Sequence, residues 1–438
     1  MKLLLSLQMV VAIVATTGSA TDDWPRFRGP SGTGVAEDSA QLPSHWSPTS
    51  NISWKSPLPG PGASSPIIIG KKVFVTCYSG YGLKTKDPGD IENLIRHLVC
   101  FDLETGQQLW QRTVKAVLPE DPYDKSGVSS HGYASHTPVS DGKAVYCFFG
   151  KSGVHAFDLD GNPLWSTDVG SGSDPPRWGS SSSPVLHQST VIVTASAESQ
   201  SIIGLDKVTG RKLWQTKSKA LDGMWGTPTL VEISPSRSDL VMMVAGELWG
   251  INPEDGQFRW RTKATDSKQA YTSVIAQDKR VFAFSGSGGG GVAIDIGEKD
   301  PSTVDVAWRT NVFATYASPV QVNGRIYIVS RGILSVVDAT TGERLERLRI
   351  KGARQIGNER FGSLDYASPV VVGQRLFWLN ASGQMYVFEL GKVTKQIAVN
   401  ELTDEREIFW GSPAVSQGRM VVRSSAFLYC ITQTQKKQ

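Results

Sequence analysis

Short apolar runs recur along the whole chain, separated by Gly- and Asn-containing turns, and eight of them follow directly on a pair of small residues. The pairs are Ser65-Pro66, Thr137-Pro138, Ser183-Pro184, Thr227-Pro228, Ser273-Val274, Ser318-Pro319, Ser368-Pro369 and Ser412-Pro413, with successive spacings of 72, 46, 44, 46, 45, 50 and 44 residues. That period suits four-stranded propeller blades and is too long for two-helix repeats of about 34 residues. Within one repeat, Val320 to Ser330 reads as a short strand, an Asn323-Gly324 turn and a second apolar strand. A third strand then ends on an Asp, a Thr-Gly turn and a Trp, as in Asp102, Thr105-Gly106 and Trp110, or Asp206, Thr209-Gly210 and Trp214. Gly supplies positive φ at the hairpin, and the Trp opens the outer strand with a large face to dock between blades. Asn252, Gly256 and Trp260 repeat the device, and Asp158, Gly161 and Trp165 shorten it by one residue. The sixth repeat keeps Asp338 and Gly342 but has Glu346 for Trp, and the seventh has lost most of the signature, so these two blades are expected to pack less regularly.

The eighth repeat has room for three strands, near Ala414, from Met420 to Arg423 and from Phe427 to Ile431. Near the other end, Ile52 to Pro57, with Trp54, reads as an outer strand lacking its blade. Pairing the two completes the ring and removes exposed edges. The expected fold is therefore all-β, an eight-bladed β-propeller whose last blade is closed by an N-terminal strand. Residues 1–20 read as a signal peptide, 21–50 as an extension packing on the propeller, 51–433 as the propeller and 434–438 as a tail.

Composition narrows the function. With 39% hydrophobic residues, 44 Gly and 23 Pro among 438, the chain is globular and turn-rich. A balance of 45 basic to 41 acidic residues, with no local basic run, argues against nucleic acid. Lys2, an apolar stretch from Leu3 to about Ala15 and then Gly18-Ser19-Ala20 have the order of a secretory signal. The stretch is short for a membrane span, a buried N-terminal helix being the alternative. No Cys stands near the cleavage position to carry a lipid anchor, so a soluble periplasmic or secreted monomer without an integral membrane segment is expected. Cys77 and Cys100 fall on neighbouring strands and either form a disulfide or join Cys147 and Cys430 as small core residues. No Cys-x-x-Cys-His haem motif occurs.

The Asp-x-x-Thr-Gly-x-x-x-Trp pattern at Asp102 and Asp206 resembles the tryptophan-docking repeat of the pyrroloquinoline-quinone (PQQ) propellers, a superfamily that spans quinoprotein alcohol dehydrogenases and the outer-membrane assembly lipoprotein BamB. Asp23 to Pro30, with Trp54-Lys55 and Leu58-Pro59-Gly60, is similar to exported PQQ-like repeat proteins of planctomycete-type bacteria. The resemblance runs from about residue 23 to 433 and specifies fold more than activity. In the dehydrogenases it implies a quinone stacked on a Trp and on a ring of two adjacent cysteines, beside Ca²⁺ and a catalytic Asp. No two cysteines are adjacent in this chain and no matching calcium set can be placed, so PQQ and Ca²⁺ rest on the resemblance alone.

Loops before the inner strands line a propeller's funnel, where ligands usually bind. Three positions before the repeat-start Pro (or Val274) stand Trp225, Tyr271, Tyr316, Tyr366 and Trp410, while Ala63, Ser135 and Ser181 hold that place in the first three blades, with Tyr133 and Trp178 close by. These aromatics either form an arc that stacks on a planar, sugar-like or peptide ligand, or are packing residues that plug the axis. His131, His136, Arg177, Asp222 and Asp365 lie on the same loops. Two His without a third ligand do not specify a metal, and no context selects a nucleophile, so no catalytic residue is assigned. The glycine-rich run from Ser285 to Gly291 lacks Lys-Ser/Thr and reads as a hairpin rather than a phosphate loop. The first repeat exceeds the second by 26 residues (72 − 46), in Tyr78 to His97, as a functional face or a solvated loop. The leading expectation is an exported, non-catalytic binding or scaffold propeller whose funnel meets an envelope protein or extracellular ligand. The alternatives are a PQQ- and Ca²⁺-dependent oxidoreductase and a small-ligand or glycan binder.

Overall fold

The apolar runs pair as antiparallel ladders that step outward from a central axis in chain order. In the first blade, Ile67–Ile69, Lys72–Ser79, Ile95–Asp102 and Gln108–Lys115 are hydrogen-bonded in succession. The three inner strands are buried on both faces because each blade packs between two neighbours, which is why they read as continuous apolar runs. Only the outer strand is substantially exposed. The computed structural model describes residues 23–36, 42–84, 86–124, 127–286, 288–352 and 365–433, and in it eight such sheets complete the propeller. Residues 1–20, read above as a signal peptide, and the tail 434–438 lie outside the described residues.

The ring is closed as the strand count requires. Ala414–Ser416, Arg419–Arg423 and Phe427–Thr432 form three strands of the eighth blade, and Ile52–Pro57 supplies the outer one, with Trp54 opposite Cys430 and Ser56 opposite Leu428.

Most docking Trp side chains cover the hairpin of the following blade, Trp260 instead donating to Asp239 of its own blade at 2.9 Å. Trp54 donates its indole N–H to the Leu103 carbonyl at 3.0 Å, and its ring lies over Gly106, where a Cβ would come within 2.5 Å. Trp110 does the same to Leu159 (3.2 Å) over Gly161, Trp165 to Lys207 (3.0 Å) over Gly210, and Trp308 to Ala339 (3.1 Å) over Gly342. The hairpin Gly is thus required twice, by its positive φ and by the ring resting on it.

Blades 6 and 7 compensate for their lost Trp. Glu346 occupies the Trp register opposite Val336, is paired with Arg325 at 3.1 Å, and accepts from the Thr394 amide (2.9 Å) and hydroxyl (3.2 Å) of the next blade. In blade 7 the equivalent residue is Ala398, opposite Val387. Trp46 of the N-terminal extension fills the space, its ring stacked at 6.3 Å on Phe377 much as Trp308 lies 5.8 Å from Phe282. Asn400 fixes it, accepting from the Trp46 amide (3.1 Å) and donating to the Ser44 carbonyl (2.9 Å).

The extension also enters the axis. Trp24 exchanges two 2.9 Å backbone hydrogen bonds with Ile68 of blade 1, Pro25 accepts from Ser140 of blade 2, and Val35–Ala36 pairs in parallel with Val370–Val372, the innermost strand of blade 7. Arg28, buried, donates to the carbonyls of Thr33 and of Pro319 in blade 6. The segment therefore crosses the channel from blades 1 and 2 to blades 6 and 7 and closes it.

The disulfide alternative does not hold. Cys77 faces His97 across the ladder and Cys100 faces Phe74, so the two sit three residues apart in register and on opposite sides of one sheet. Cys77 packs toward blade 8 and Cys100 toward blade 2, and all four cysteines are free and buried. Among the described residues, no helix is long and apolar enough to cross a membrane.

Candidate functional site

The sequence period is, physically, a closed ring of hydrogen bonds. The amide of each repeat-start Ser or Thr donates to the hydroxyl of the next one around the axis: Ser65 to Thr137, then Ser183, Thr227, Ser273, Ser318, Ser368, Ser412 and back to Ser65, all at 2.8–3.0 Å. All eight residues are buried. Accepting an amide uses a lone pair and leaves each O–H as a donor.

Above this ring stands an unbroken arc of aromatic rings. Trp178 lies 5.2 Å from Trp225, which stacks on Tyr271 at 5.0 Å and 15°. Tyr271 meets Tyr316 edge-on at 5.1 Å, Tyr316 meets Tyr366 edge-on at 5.1 Å, and Trp410 follows at 6.0 Å. Arc and hydroxyl ring enclose a cavity of about 160 Å³ with Phe27 of the plugging segment among its walls. The indole N–H of Trp225 is satisfied by the Gly179 carbonyl at 2.8 Å, which holds the ring in place. Burial, reinforced by Tyr316, pushes the Tyr271 phenol up to about 12, and burial raises Tyr366 further, so the arc is uncharged at neutral pH.

Seven of the ten candidates named from sequence line this cavity: Trp178, Trp225, Tyr271, Tyr316, Tyr366, Trp410 and His131. His131 is held between the Ser135 hydroxyl and the Trp178 carbonyl, and burial lowers its pKa. The remaining three stand elsewhere. Arg177 is exposed at a positive-φ position. Asp365 accepts from the Ala381 amide at 3.1 Å, and burial raises its carboxyl to about 6. His136 lies behind the funnel wall in a second, smaller cavity. Asp222 likewise turns away, accepting from Gln200 at 2.9 Å.

The second cavity, about 40 Å³, shares His131, Ser135 and Trp178 with the funnel. Its walls carry Arg96 paired with Glu120 (2.7 Å) and Lys151 paired with Asp121 (3.2 Å), all four buried. In the same chamber, Ser180 donates to Glu198 at 2.6 Å and lies 3.0 Å from His136 Nε2. Burial drives His136 down to about 3 and raises Glu198 to about 7. The long insertion of the first repeat packs beside it: Tyr78 and Tyr81 contact Tyr133 at 5.4 and 5.9 Å, and Tyr123 adds a third ring at 6.2 Å.

Sequence reasoning missed Phe27, the hydroxyl ring and the polar chamber. The first two had signals: Phe27 sits in the Asp23 to Pro30 motif, and the hydroxyls are the period itself. The chamber had none, since its groups come from positions 96 to 198 with no local spacing.

The donor set does not suit PQQ with Ca²⁺. PQQ is a planar polycarboxylate, and among the described residues no Lys or Arg lines the funnel to neutralise it. Among the described residues no group of three His, Cys, Asp or Glu is placed to hold a metal ion.

The family model described as outer membrane protein assembly factor BamB matches residues 96–347. Among solved structures, the chain is similar to BamB from Moraxella catarrhalis (14% identity, 91% of this chain and 99% of that one, TM-score 0.54). It is also similar to a europium-containing methanol dehydrogenase (12%, 92% and 89%, 0.61) and a quinohemoprotein alcohol dehydrogenase from Pseudomonas putida HK5 (10%, 95% and 81%, 0.55). At these identities the likeness is one of fold. No curated protein matches the sequence.

Proposed function

Because this chain belongs to the PQQ-like propeller family whose matching model is that of outer membrane protein assembly factor BamB, we propose that it is an exported, non-catalytic binding module of the cell envelope that holds a ring-bearing ligand in its central funnel. The observation that carries this reading is the six-ring arc from Trp178 to Trp410 above the hydroxyl ring. A cavity of about 160 Å³ is comparable to the roughly 150 Å³ that accommodates a benzene-sized guest. Stacked or edge-on aromatic contacts add about 0.5–1.5 kcal/mol each beyond area burial, and the hydroxyls below offer donors to a polar substituent.

Absence of catalysis is supported by what lines the funnel. Among the described residues its one histidine, His131, has both ring nitrogens engaged, and no carboxylate, Lys or Arg joins it. Within the funnel itself a ligand meets aromatic faces and hydroxyls, and the titratable groups of the adjoining chamber, Glu198 among them, stand behind its wall. Export is supported by the order of residues 1–20 and by the family.

Calorimetric titration of the purified protein with phenol, indole and 2-phenylethanol tests the reading. Saturable one-to-one binding is expected, in the millimolar range for ligands this small, weakened at least tenfold by Trp225→Ala. If none of the three saturates the wild-type protein, the funnel is not a ring-binding site.

A further inference from the structure

We propose that the chamber behind the funnel receives a protonated amine, so that the ligand is an aromatic amine with its ring in the funnel and its ammonium group against Glu198. The inference rests on the funnel reading and adds the chemical class of the ligand.

Three residues, His131, Ser135 and Trp178, line both cavities, which places the chamber directly beside a ring seated in the funnel, and a short alkyl chain has to pass between them for one molecule to occupy both. At about 40 Å³ the chamber is too small for a ring and large enough for an ammonium-sized group. Its charges decide which group. Arg96 is paired with Glu120 at 2.7 Å and Lys151 with Asp121 at 3.2 Å, which leaves Glu198, although Arg96 is near enough to lower its pKa, as the carboxyl with no ion pair of its own. Glu198 is 5% exposed, its Oε1 accepts from Ser180 at 2.6 Å, and its Oε2 is buried with no hydrogen-bond partner. His136 beside it is kept neutral by burial and offers no countercharge.

A buried carboxylate oxygen without a donor is costly and is ordinarily found paired. A primary ammonium supplies both the missing charge and the missing donor. An anion would meet three carboxyls, two of them with cations already committed, and a neutral group would leave Glu198 to be held as its protonated acid. The raised Glu198 pKa of about 7 fits an acid built to work with a cation that arrives with the ligand.

The test compares 2-phenylethylamine with 2-phenylethanol, which share a ring and chain and differ in the terminal group, by calorimetry on the full protein at pH 8. The amine is expected to bind at least tenfold more tightly, Glu198→Gln to abolish that preference, and 2-phenylethanol binding to be unaffected by the substitution. In the wild type, amine affinity should also weaken as pH falls from 8 to 5.5, where Glu198 takes a proton and the amine keeps its own, while alcohol affinity stays level. Equal wild-type affinities, or a preference that survives in Glu198→Gln, overturn the inference and leave the funnel reading standing. If neither compound binds, the funnel reading falls and this inference with it. Should the Gln variant not fold, the wild-type pH series decides, a flat amine profile being the contrary result.

Discussion

The amide of Ser412 donates to the hydroxyl of Ser65 at 2.9 Å across 347 residues of sequence, joining the last blade to the first. It is the eighth bond of a ring whose other seven members span the sequence period, and it ties the two ends of the array at the axis as Ile52–Pro57 ties them at the rim. Removing the Ser65 hydroxyl leaves a buried amide unsatisfied, which costs about 1–3 kcal/mol. Ser65→Ala should lower stability by that amount in denaturant titration, whereas Ser65→Thr should be close to neutral because Thr already serves at positions 137 and 227. An unchanged Ala variant would show that the ring is incidental.

Trp46 should behave as a core residue although it precedes the first blade. It is 6% exposed and fills the site left by Ala398. Trp46→Ala should cost about 3–5 kcal/mol, comparable to Trp308→Ala, by equilibrium unfolding. Removing residues 50–58 should be more severe, because it strips the outer strand from blade 8 and leaves an open edge. A melting temperature unchanged by that deletion would refute closure by the N-terminal strand.

The propeller was legible in sequence because each blade repeats the same local chemistry, from the Ser/Thr start to the Gly under the docking Trp. The arc was legible because it keeps one register, Trp225 to Trp410, relative to that start. What could not be read joins positions distant in the chain. Nothing in the spacing of Trp46 points to Ala398, nor of Phe27 to the cavity between blades, since both depend on where the extension crosses the axis. Glu198 was invisible for the same reason: apart from Ser180, the charged and polar groups around it, Arg96 and His136 among them, come from other blades. The Cys77 to Cys100 alternative failed on strand parity, which depends on a register fixed by the hairpin.

Glu198 should give the protein a particular pH signature. Its folded pKa is raised from 4.5 to about 7, so the folded state holds a proton that the unfolded state has released. Its contribution is therefore fully present below about pH 4.5 and is lost as pH rises toward 7, on the order of 3 kcal/mol in total. Buried neutral His136 acts in the opposite sense, its contribution being lost as pH falls below its unfolded value of about 6.5. Comparing wild type with Glu198→Gln removes the histidine contribution. The Gln variant should match wild type near pH 4 and be progressively more stable up to pH 8, and a difference independent of pH would contradict the assignment.

The arc should behave as a lining and not as a plug. Tyr316 and Tyr366 are only partly buried, with faces on the cavity. Tyr316→Ala should therefore shift the unfolding free energy by about 1 kcal/mol or less, well short of the 3–5 kcal/mol of a large core aromatic, as read from denaturant midpoints. A loss of core magnitude would make these rings packing residues.

The most direct test of the central claim is the anomalous signal of bromine in a crystal soaked with 4-bromophenol. The account predicts one strong bromine site in the funnel, among Trp225, Tyr271 and Tyr316 above the Ser/Thr ring. A fully soaked crystal with bromine bound elsewhere and none in the funnel would contradict it.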